Sequence, residues 1–175
     1  MKKFTCAIFL VAVEAMASKL SLPNEHYTLP NGLRVILSED HSTPFVAVNT
    51  WTYVGSNNEK LGQTGKAHLF EHLMFEGTAH LKDPPGYFPT IERAGGFSVN
   101  ASTSFDRTNY YQTVPKNELE RVLSMESSRL FFLDINQAKL DEQREVVQRE
   151  KAQRYDNNPY GQATLTFWEK LFPKS

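Results

Sequence analysis

Residues 65–78 read GKAHLFEHLMFEGT, and this stretch decides how the rest of the chain is interpreted. Helix positions four residues apart differ by about 40° of rotation, so His68 and His72 project from one face and can ligate a single cation. Glu71 points to the neighbouring side, where its carboxylate can take a proton from water at the metal. A histidine pair held by ordinary hydrogen bonds is the alternative that the motif alone leaves open.

The regions around this helix alternate between strand and helix patterns, without repeats. Strand patterns cover residues 27–29, 33–37, 45–54, 98–104 and 108–114, with a turn at 30–32. Helix patterns cover residues 67–75, 88–94, 119–132, 138–155 and 162–171. Segment 45–54 is apolar on both faces, which predicts a central strand covered on both sides. The apolar backing of the motif helix is expected in the core, namely Leu69, Phe70, Leu73 and Phe75. Together these patterns predict an α+β fold, an antiparallel-rich mixed sheet with helices packed on one face.

The composition excludes several classes of protein. Of the 175 residues 40% are hydrophobic and 12% aromatic, which argues against collagenous, coiled-coil and disordered chains. The net charge of −1 gives no basic balance, so no nucleic-acid partner is expected. The single cysteine, Cys6, rules out an internal disulfide framework and any multi-cysteine zinc or iron–sulfur site. A metal site must therefore use histidine and carboxylate.

The first seventeen residues have the pattern of a secretory signal peptide. A positive segment, Met1–Lys3, precedes the apolar run Phe4–Val13, and Ala15–Ala17 fits the small-residue cleavage rule. The apolar run is too short for a stable membrane span, so none is expected after signal removal; a buried helix or a short uncleaved anchor is the alternative. Cleavage after Ala17 leaves no cysteine, and an exported chain without disulfides suits a bacterial periplasm.

Further motifs accompany the histidine pair in a fixed order. They are Leu29–Leu33, Val54–Ser56, Gly65–Thr78, Gly95–Gly96, Asn100–Thr103, Asp106–Tyr111, Glu145–Glu150 and Asn158–Gly161. Through them the chain resembles the pitrilysin/insulinase (M16) family of inverted-motif zinc peptidases, relatives of the mitochondrial processing peptidase. The resemblance implies a metallopeptidase half-domain of the LuxS/MPP-like kind, a Zn²⁺ cofactor, His68 and His72 as ligands and Glu71 as general base.

A tetrahedral catalytic zinc needs a third protein ligand and one open position, and the resemblance implies Glu150 for that ligand. Two other carboxylates compete with it. Glu145 lies about 140° around the same helix from Glu150, so both cannot face one metal, and Glu76 follows His72 by four residues near a helix end. The family often has a second glutamate seven residues before the ligand. Gln143 stands there in this chain, and its amide can still hydrogen-bond a ligand.

The segment after Gly95–Gly96 resembles the family's substrate-facing edge strand, to which an extended peptide adds as a further strand. Asn100 and Ala101 match positions that contact the substrate backbone in relatives. The alternative is that the two glycines only end a helix and that Asn100 is an ordinary sheet residue.

These observations predict a zinc-dependent metalloendopeptidase domain that acts on exported peptides. Residues 18–175 are expected to form an N-terminal M16 peptidase domain that is incomplete at its C-terminus. The resemblance implies a second half-domain or partner subunit, and little peptidase activity for residues 18–175 alone. Poor coverage is expected for Phe167, Trp168 and Phe172. Two alternatives stay open: a non-catalytic family member that binds peptides or a partner, and a metal-buffering protein.

Overall fold

The computed structural model describes residues 22–80 and 86–172. The predicted signal peptide, most of the loop at residues 81–86 and the last three residues lie outside the described residues. The described residues divide into two compact units, one before Pro44 and one from Pro44 onward. No helix in the described part of the chain is both long enough and apolar enough to cross a bilayer.

The first unit contains a β-hairpin. Strands β1 (Glu25–Thr28) and β2 (Arg34–Leu37) pair antiparallel, in a register that places Tyr27 opposite Val35. The backbone N–H of Leu29 donates to the Leu33 carbonyl at 2.8 Å, and Gly32 has a φ of 89°. The predicted turn at 30–32 is therefore confirmed, because glycine reaches this left-handed conformation without steric cost.

The second unit is built on a three-stranded antiparallel sheet. Its strands are β3 (Phe45–Thr52), β4 (Phe97–Thr103) and β5 (Thr108–Pro115), in the spatial order β3-β5-β4. The predicted central position of segment 45–54 is wrong within the described sheet, where β5 is central and β3 alternates between exposed and half-buried residues. The misleading signal came from aromatic residues on the open face: Phe45 is 41% exposed and Trp51, 51% exposed, lies against the Arg107 guanidinium.

The described part of the second unit contains five α-helices. They are α1 (Lys66–Leu73), α2 (Tyr87–Arg93), α3 (Leu119–Phe131), α4 (Gln137–Lys151) and α5 (Gly161–Leu171). The predicted helix at 138–155 ends earlier, at Lys151, and continues as a π-helical turn, Ala152–Asp156, closed by a bond from the Asn157 N–H to the Ala152 carbonyl. Helices α1 and α2 contact β4, and α3 contacts β3. The α+β fold with helices on a sheet face is confirmed, and all strand pairs described are antiparallel.

The core joins α2, β5 and α3. It is formed by Tyr87, Ile91, Val114, Val122 and Met125, all at most 2% exposed. Close packing depends on a glycine here, because a Cβ atom at Gly96 would lie 2.4 Å from Cγ2 of Ile91 and 2.9 Å from Cγ1 of Val114. On α1 only Leu73 is fully buried. Phe70, expected in the core, is 50% exposed and lines an open groove with Val54, Met74 and Leu130.

A charged pair is buried beside this core. Arg129, with no exposed surface, bonds to Glu126 on the same helix and donates to the Tyr87 hydroxyl at 2.6 Å. Its guanidinium lies 4.1 Å from the ring centre of Tyr87 and 4.6 Å from that of Tyr110. Rings and carboxylate together replace part of the solvation that the cation loses on burial, while Nε and Nη1 of Arg129 have no hydrogen-bond partner among the described residues.

Candidate metal centre

Helix α1 presents its histidines from a capped N-terminus. Gly65, with a φ of 89°, precedes the helix, and the Glu59 carboxylate accepts bonds from the backbone N–H groups of Gly65 at 2.9 Å and Ala67 at 2.6 Å. A carboxylate at this end satisfies free donors and complements the helix dipole. Glu59 lies in a polar segment without a helix or strand pattern, so the sequence alone did not predict this contact.

Helix α4 brings Glu150 to the two histidines. Nε2 of His68 lies 3.5 Å from Glu150 Oε2, and Nε2 of His72 lies 3.6 Å from Glu150 Oε1. The two Nε2 atoms are 3.3 Å apart. Among the described residues these three form the group that can hold a metal ion, and all three are half-buried.

The separations between neighbouring donor atoms are close to those of a tetrahedral zinc site. Bonds of about 2.0–2.2 Å in tetrahedral geometry separate neighbouring donors by about 3.3–3.6 Å. The separation of the two Nε2 atoms, 3.3 Å, falls in this range. Each Nε2 also has a Glu150 oxygen at 3.5 or 3.6 Å, although the two nitrogens lie nearest to different oxygens. One ligand atom from each of the three residues lies within 4.8 Å of the other two. Two imidazoles and one carboxylate are also a donor set that zinc prefers, and three protein donors leave a fourth position open. The group found among the described residues therefore fits Zn²⁺.

The two competing carboxylates are placed elsewhere. Glu145 is exposed on α4 and does not join the group found among the described residues. Glu76 accepts a bond from Nε2 of Gln143 at 2.5 Å. The Oε1 atom of the same amide lies 3.2 Å from Nδ1 of His72. Gln143 thus contacts a candidate ligand, as its position in the sequence had suggested, and it also contacts Glu76.

Glu71 lies beside the donor group with its own partner. The Thr103 hydroxyl of β4 donates a hydrogen bond to Oε2 of Glu71. Both side chains are half-buried. Thr103 belongs to the motif Asn100–Thr103, but the sequence alone did not predict its contact with Glu71, because a contact between a strand and a helix cannot be derived from spacing along the chain.

Burial and neighbouring charges favour neutral imidazole at His68. Loss of hydration lowers its pKa, and the nearby His72 and Arg154 lower it further, while Glu71 and Glu150 act in the opposite direction. The neutral ring is the form that binds a metal. For Glu76, burial is the largest cause of a raised pKa and Glu142 adds to it, against Lys139 and the bond from Gln143.

Asn100 and Ala101 lie on β4, at one edge of the described sheet. The Ala101 backbone N–H donates to Oδ1 of Asn100 at 2.8 Å. The pairing of β4 with β5 is irregular between Phe97 and Asn100, where Ser98 has a φ of 53°. Such an irregularity bends an edge strand and changes which groups it presents.

Comparisons with known proteins agree on one family. The family model described as Insulinase (Peptidase family M16) matches residues 34–167. A curated relative, the zinc protease PqqE of Helicobacter pylori, is 35% identical over 169 residues. That match covers 95% of this chain and 38% of the relative.

Solved structures show the same similarity. A protease from Helicobacter pylori superposes with a TM-score of 0.75 at 34% identity, over 81% of this chain and 34% of that chain. The periplasmic protease PqqL from Escherichia coli superposes with a TM-score of 0.71 at 27% identity, over 85% of this chain and 17% of that chain. The chain thus spans well under half the length of these relatives.

Proposed function

The chain belongs to the insulinase family, peptidase family M16, and from that membership we propose that it forms the metal-bearing part of a zinc-dependent endopeptidase. His68, His72 and Glu150 are the proposed zinc ligands, and Glu71 is the proposed general base. Residues 18–175 are the proposed N-terminal peptidase domain. The alternatives of a non-catalytic binding subunit and of a metal buffer do not require Glu71 beside the donor group.

The proposed chemistry is hydrolysis of a peptide bond. When bound, Zn²⁺ supplies Lewis-acid polarisation of the scissile carbonyl and makes water a stronger acid at neutral pH. The Glu71 carboxylate accepts a proton from the attacking water and passes it to the leaving amine. The hydroxyl of Thr103 holds one oxygen of Glu71 by its hydrogen bond, which orients the carboxylate for this transfer.

The edge strand β4 is the proposed substrate platform. An extended peptide paired with this edge would place its backbone near Thr103 and therefore near Glu71. Asn100 and Ala101 are the proposed contacts to the substrate backbone. Pairing at Ala101 would displace the bond from its N–H to the Asn100 side chain.

Export and a second half-domain complete the proposal. The signal-peptide pattern and the relative described as periplasmic support export to the periplasm. Aromatic side chains Phe105, Phe167, Trp168 and Phe172 are at least 40% exposed and lie in mutual contact near the end of α5. An exposed apolar cluster of this kind supports coverage by a second half-domain or partner subunit.

The observation that carries the proposal is the donor group of His68, His72 and Glu150, whose ligand atoms lie within 4.8 Å of one another, with Glu71 on the helix that carries both histidines. The test is hydrolysis of an internally quenched peptide by the zinc-loaded protein, alone and with a second M16 half-domain added. Glu71→Gln is expected to retain zinc and to lose about 10²–10⁴-fold in turnover, because an amide cannot accept the proton.

Glu92→Gln, an exposed carboxylate change on α2, is the matched control and should leave turnover unchanged. Full turnover in zinc-loaded Glu71→Gln would refute the assignment of the base. A wild-type protein that binds zinc but hydrolyses nothing in either arrangement would favour the non-catalytic alternative.

A further inference from the structure

Two hydrogen bonds connect the metal site to a carboxylate that does not belong to it. Gln143 on α4 uses both ends of its amide, with Oε1 3.2 Å from His72 Nδ1 and Nε2 2.5 Å from Glu76 Oε1. Gln143 and Glu76 are both half-buried. Nothing in the proposed reaction uses Glu76, yet its carboxylate is held against a residue that touches a ligand.

The carboxylate of Glu76 determines how the Gln143 amide is oriented. An ionised carboxylate only accepts hydrogen bonds, so Glu76 must receive the NH₂ group of Gln143. The amide oxygen of Gln143 then faces His72, and that oxygen also only accepts. The proton of a neutral His72 ring must therefore reside on Nδ1, which leaves the lone pair on Nε2. Nε2 is the atom that lies 3.3 Å from His68 and 3.6 Å from Glu150.

The backbone fixes Glu76 beside α4 without help from a metal. The Glu76 N–H donates to the Leu73 carbonyl at 3.1 Å in the last turn after α1, and Gly77, with a φ of 101°, ends that turn. The next residues pair with the segment that leads into α4. The Ala79 N–H donates to the Phe132 carbonyl at 3.0 Å, and the Asp134 N–H donates to the Gly77 carbonyl at 3.3 Å.

A buried side-chain contact adds to this attachment. The hydroxyls of Thr78 and Ser128 are 2.6 Å apart, and both residues are at most 6% exposed. Asn136 caps the first turn of α4 by accepting from the Lys139 N–H at 3.0 Å. Both helices that carry the connection are thus fixed at the ends nearest Glu76, which limits the positions that its carboxylate can take.

We propose that Glu76 and Gln143 are positioning residues that set the tautomer of His72: Glu76 fixes the orientation of the Gln143 amide, and Gln143 holds the His72 proton on Nδ1. The inference rests on the proposed zinc site. Without the Glu76 carboxylate, the side-chain amide of Gln143 can flip and donate from its NH₂ group to Nδ1 of His72. That orientation stabilises the tautomer with its proton on Nε2, and a protonated Nε2 cannot bind a metal held between His68 and Glu150. An outer carboxylate acting through an intermediate amide therefore raises metal affinity without touching the metal.

The test combines two readouts on the whole chain. Long-range ¹H–¹⁵N spectra of the metal-free protein at neutral pH report the tautomer of each of its five histidines. Competition with a chromophoric chelator gives the zinc dissociation constant. We expect the Nδ1–H form of His72 in the wild type and a mixture of both tautomers in Glu76→Gln. Gln143→Met is expected to raise the zinc dissociation constant about 10–100-fold, and Glu76→Gln about 3–10-fold because a neutral acceptor bonds more weakly.

The action of Glu76 on His72 through Gln143 is called the relay below. Two comparisons separate this relay from general effects of charge or folding. Glu142→Gln removes the same charge from an exposed neighbour on α4 and should change zinc affinity by less than about twofold. Adding Glu76→Gln to Gln143→Met should have no further effect, because Glu76 acts through Gln143. Circular dichroism verifies that each variant is folded. If Gln143→Met does not fold, Gln143→Leu, which also removes both ends of the amide, replaces it with the same expected loss.

Each contrary result has a separate meaning. An Nε2–H tautomer of His72 in the wild type, independent effects in the double variant, or an equal loss in Glu142→Gln would overturn the relay while zinc binding itself persists. Failure of the wild type to bind zinc would instead overturn the proposed function, and the metal-free tautomer would still decide whether Glu76 orients His72.

Discussion

At the residue scale, Glu76 is proposed to raise metal affinity, yet its ionised carboxylate lowers the stability of the folded chain. Its carboxylate is half-buried after α1, and burial together with Glu142 raises its pKa above the ordinary value of 4.5. A raised pKa in the folded state means that the protonated form favours folding. This contribution to stability is complete below pH 4.5 and is lost as the pH rises through the folded-state pKa.

We therefore predict that metal-free Glu76→Gln is more stable than the wild type at pH 7. The gain should not exceed about 1 kcal/mol, because the site is partly hydrated. Urea unfolding at a series of pH values measures it, and the difference should shrink below pH 4.5. A variant that is less stable than the wild type at pH 7 would contradict this electrostatic account.

The sequence predicted the site residues unevenly. Helix periodicity places His68 and His72 on one face, and the same periodicity excludes a site that uses both Glu145 and Glu150. Choosing Glu150 required the resemblance to a family, since solvated glutamates are common on charged helices. The hydrogen bond from Thr103 to Glu71 could not be predicted from the sequence, because it depends on where the irregular strand β4 lies against α1.

At the scale of elements, the buried pair Arg129 and Glu126 connects α3 to α2 and β5. Gln112 of β5 donates to Oε1 of Glu126 at 3.0 Å, and the Tyr87 hydroxyl of α2 bonds to the same oxygen. Removal of the cation would leave Glu126 as a buried charge without its counterion. The ion pair therefore determines how α2, α3 and β5 pack against one another, and it also balances the buried charge.

Arg129→Leu is predicted to lower the free energy of unfolding by about 3–5 kcal/mol, because it leaves an uncompensated buried carboxylate. Arg121→Leu provides the matched control on the same helix, where Arg121 pairs with Glu118 and is 59% exposed. That change should cost less than about 1 kcal/mol. Urea unfolding of both variants measures the difference, and equal losses would show that the buried pair is not a principal stabilising contact.

Elements with strong periodicity were placed to within a few residues by sequence alone. Gly95, with a φ of 76°, ends α2 at the predicted place. The order of strands in the sheet was not accessible in the same way. Aromatic residues of β3 suggest burial on both faces, whereas one face is open and Trp51 lies against Arg107. Local patterns report side-chain chemistry, and strand order depends on pairings far apart in the chain.

At the scale of the whole molecule, the second unit carries the complete donor group and also a large exposed apolar surface. On α5, Phe167 is 58% exposed and Trp168 is 40% exposed, which agrees with the expectation that this helix is poorly covered. The donor group depends on α1 and α4 alone. Zinc binding should therefore be a property of this chain, whereas enclosure of a substrate is proposed to require a second half-domain.

The measurement that tests the central claim most directly is the zinc content of the purified chain and of two variants on α4, determined by elemental analysis. We predict about one zinc per chain in the wild type and in Glu145→Gln, and a large loss in Glu150→Gln, because Glu150 alone on this helix faces both histidines at 3.5–3.6 Å. Zinc retained by Glu150→Gln and lost from Glu145→Gln would contradict the ligand assignment on which the account depends.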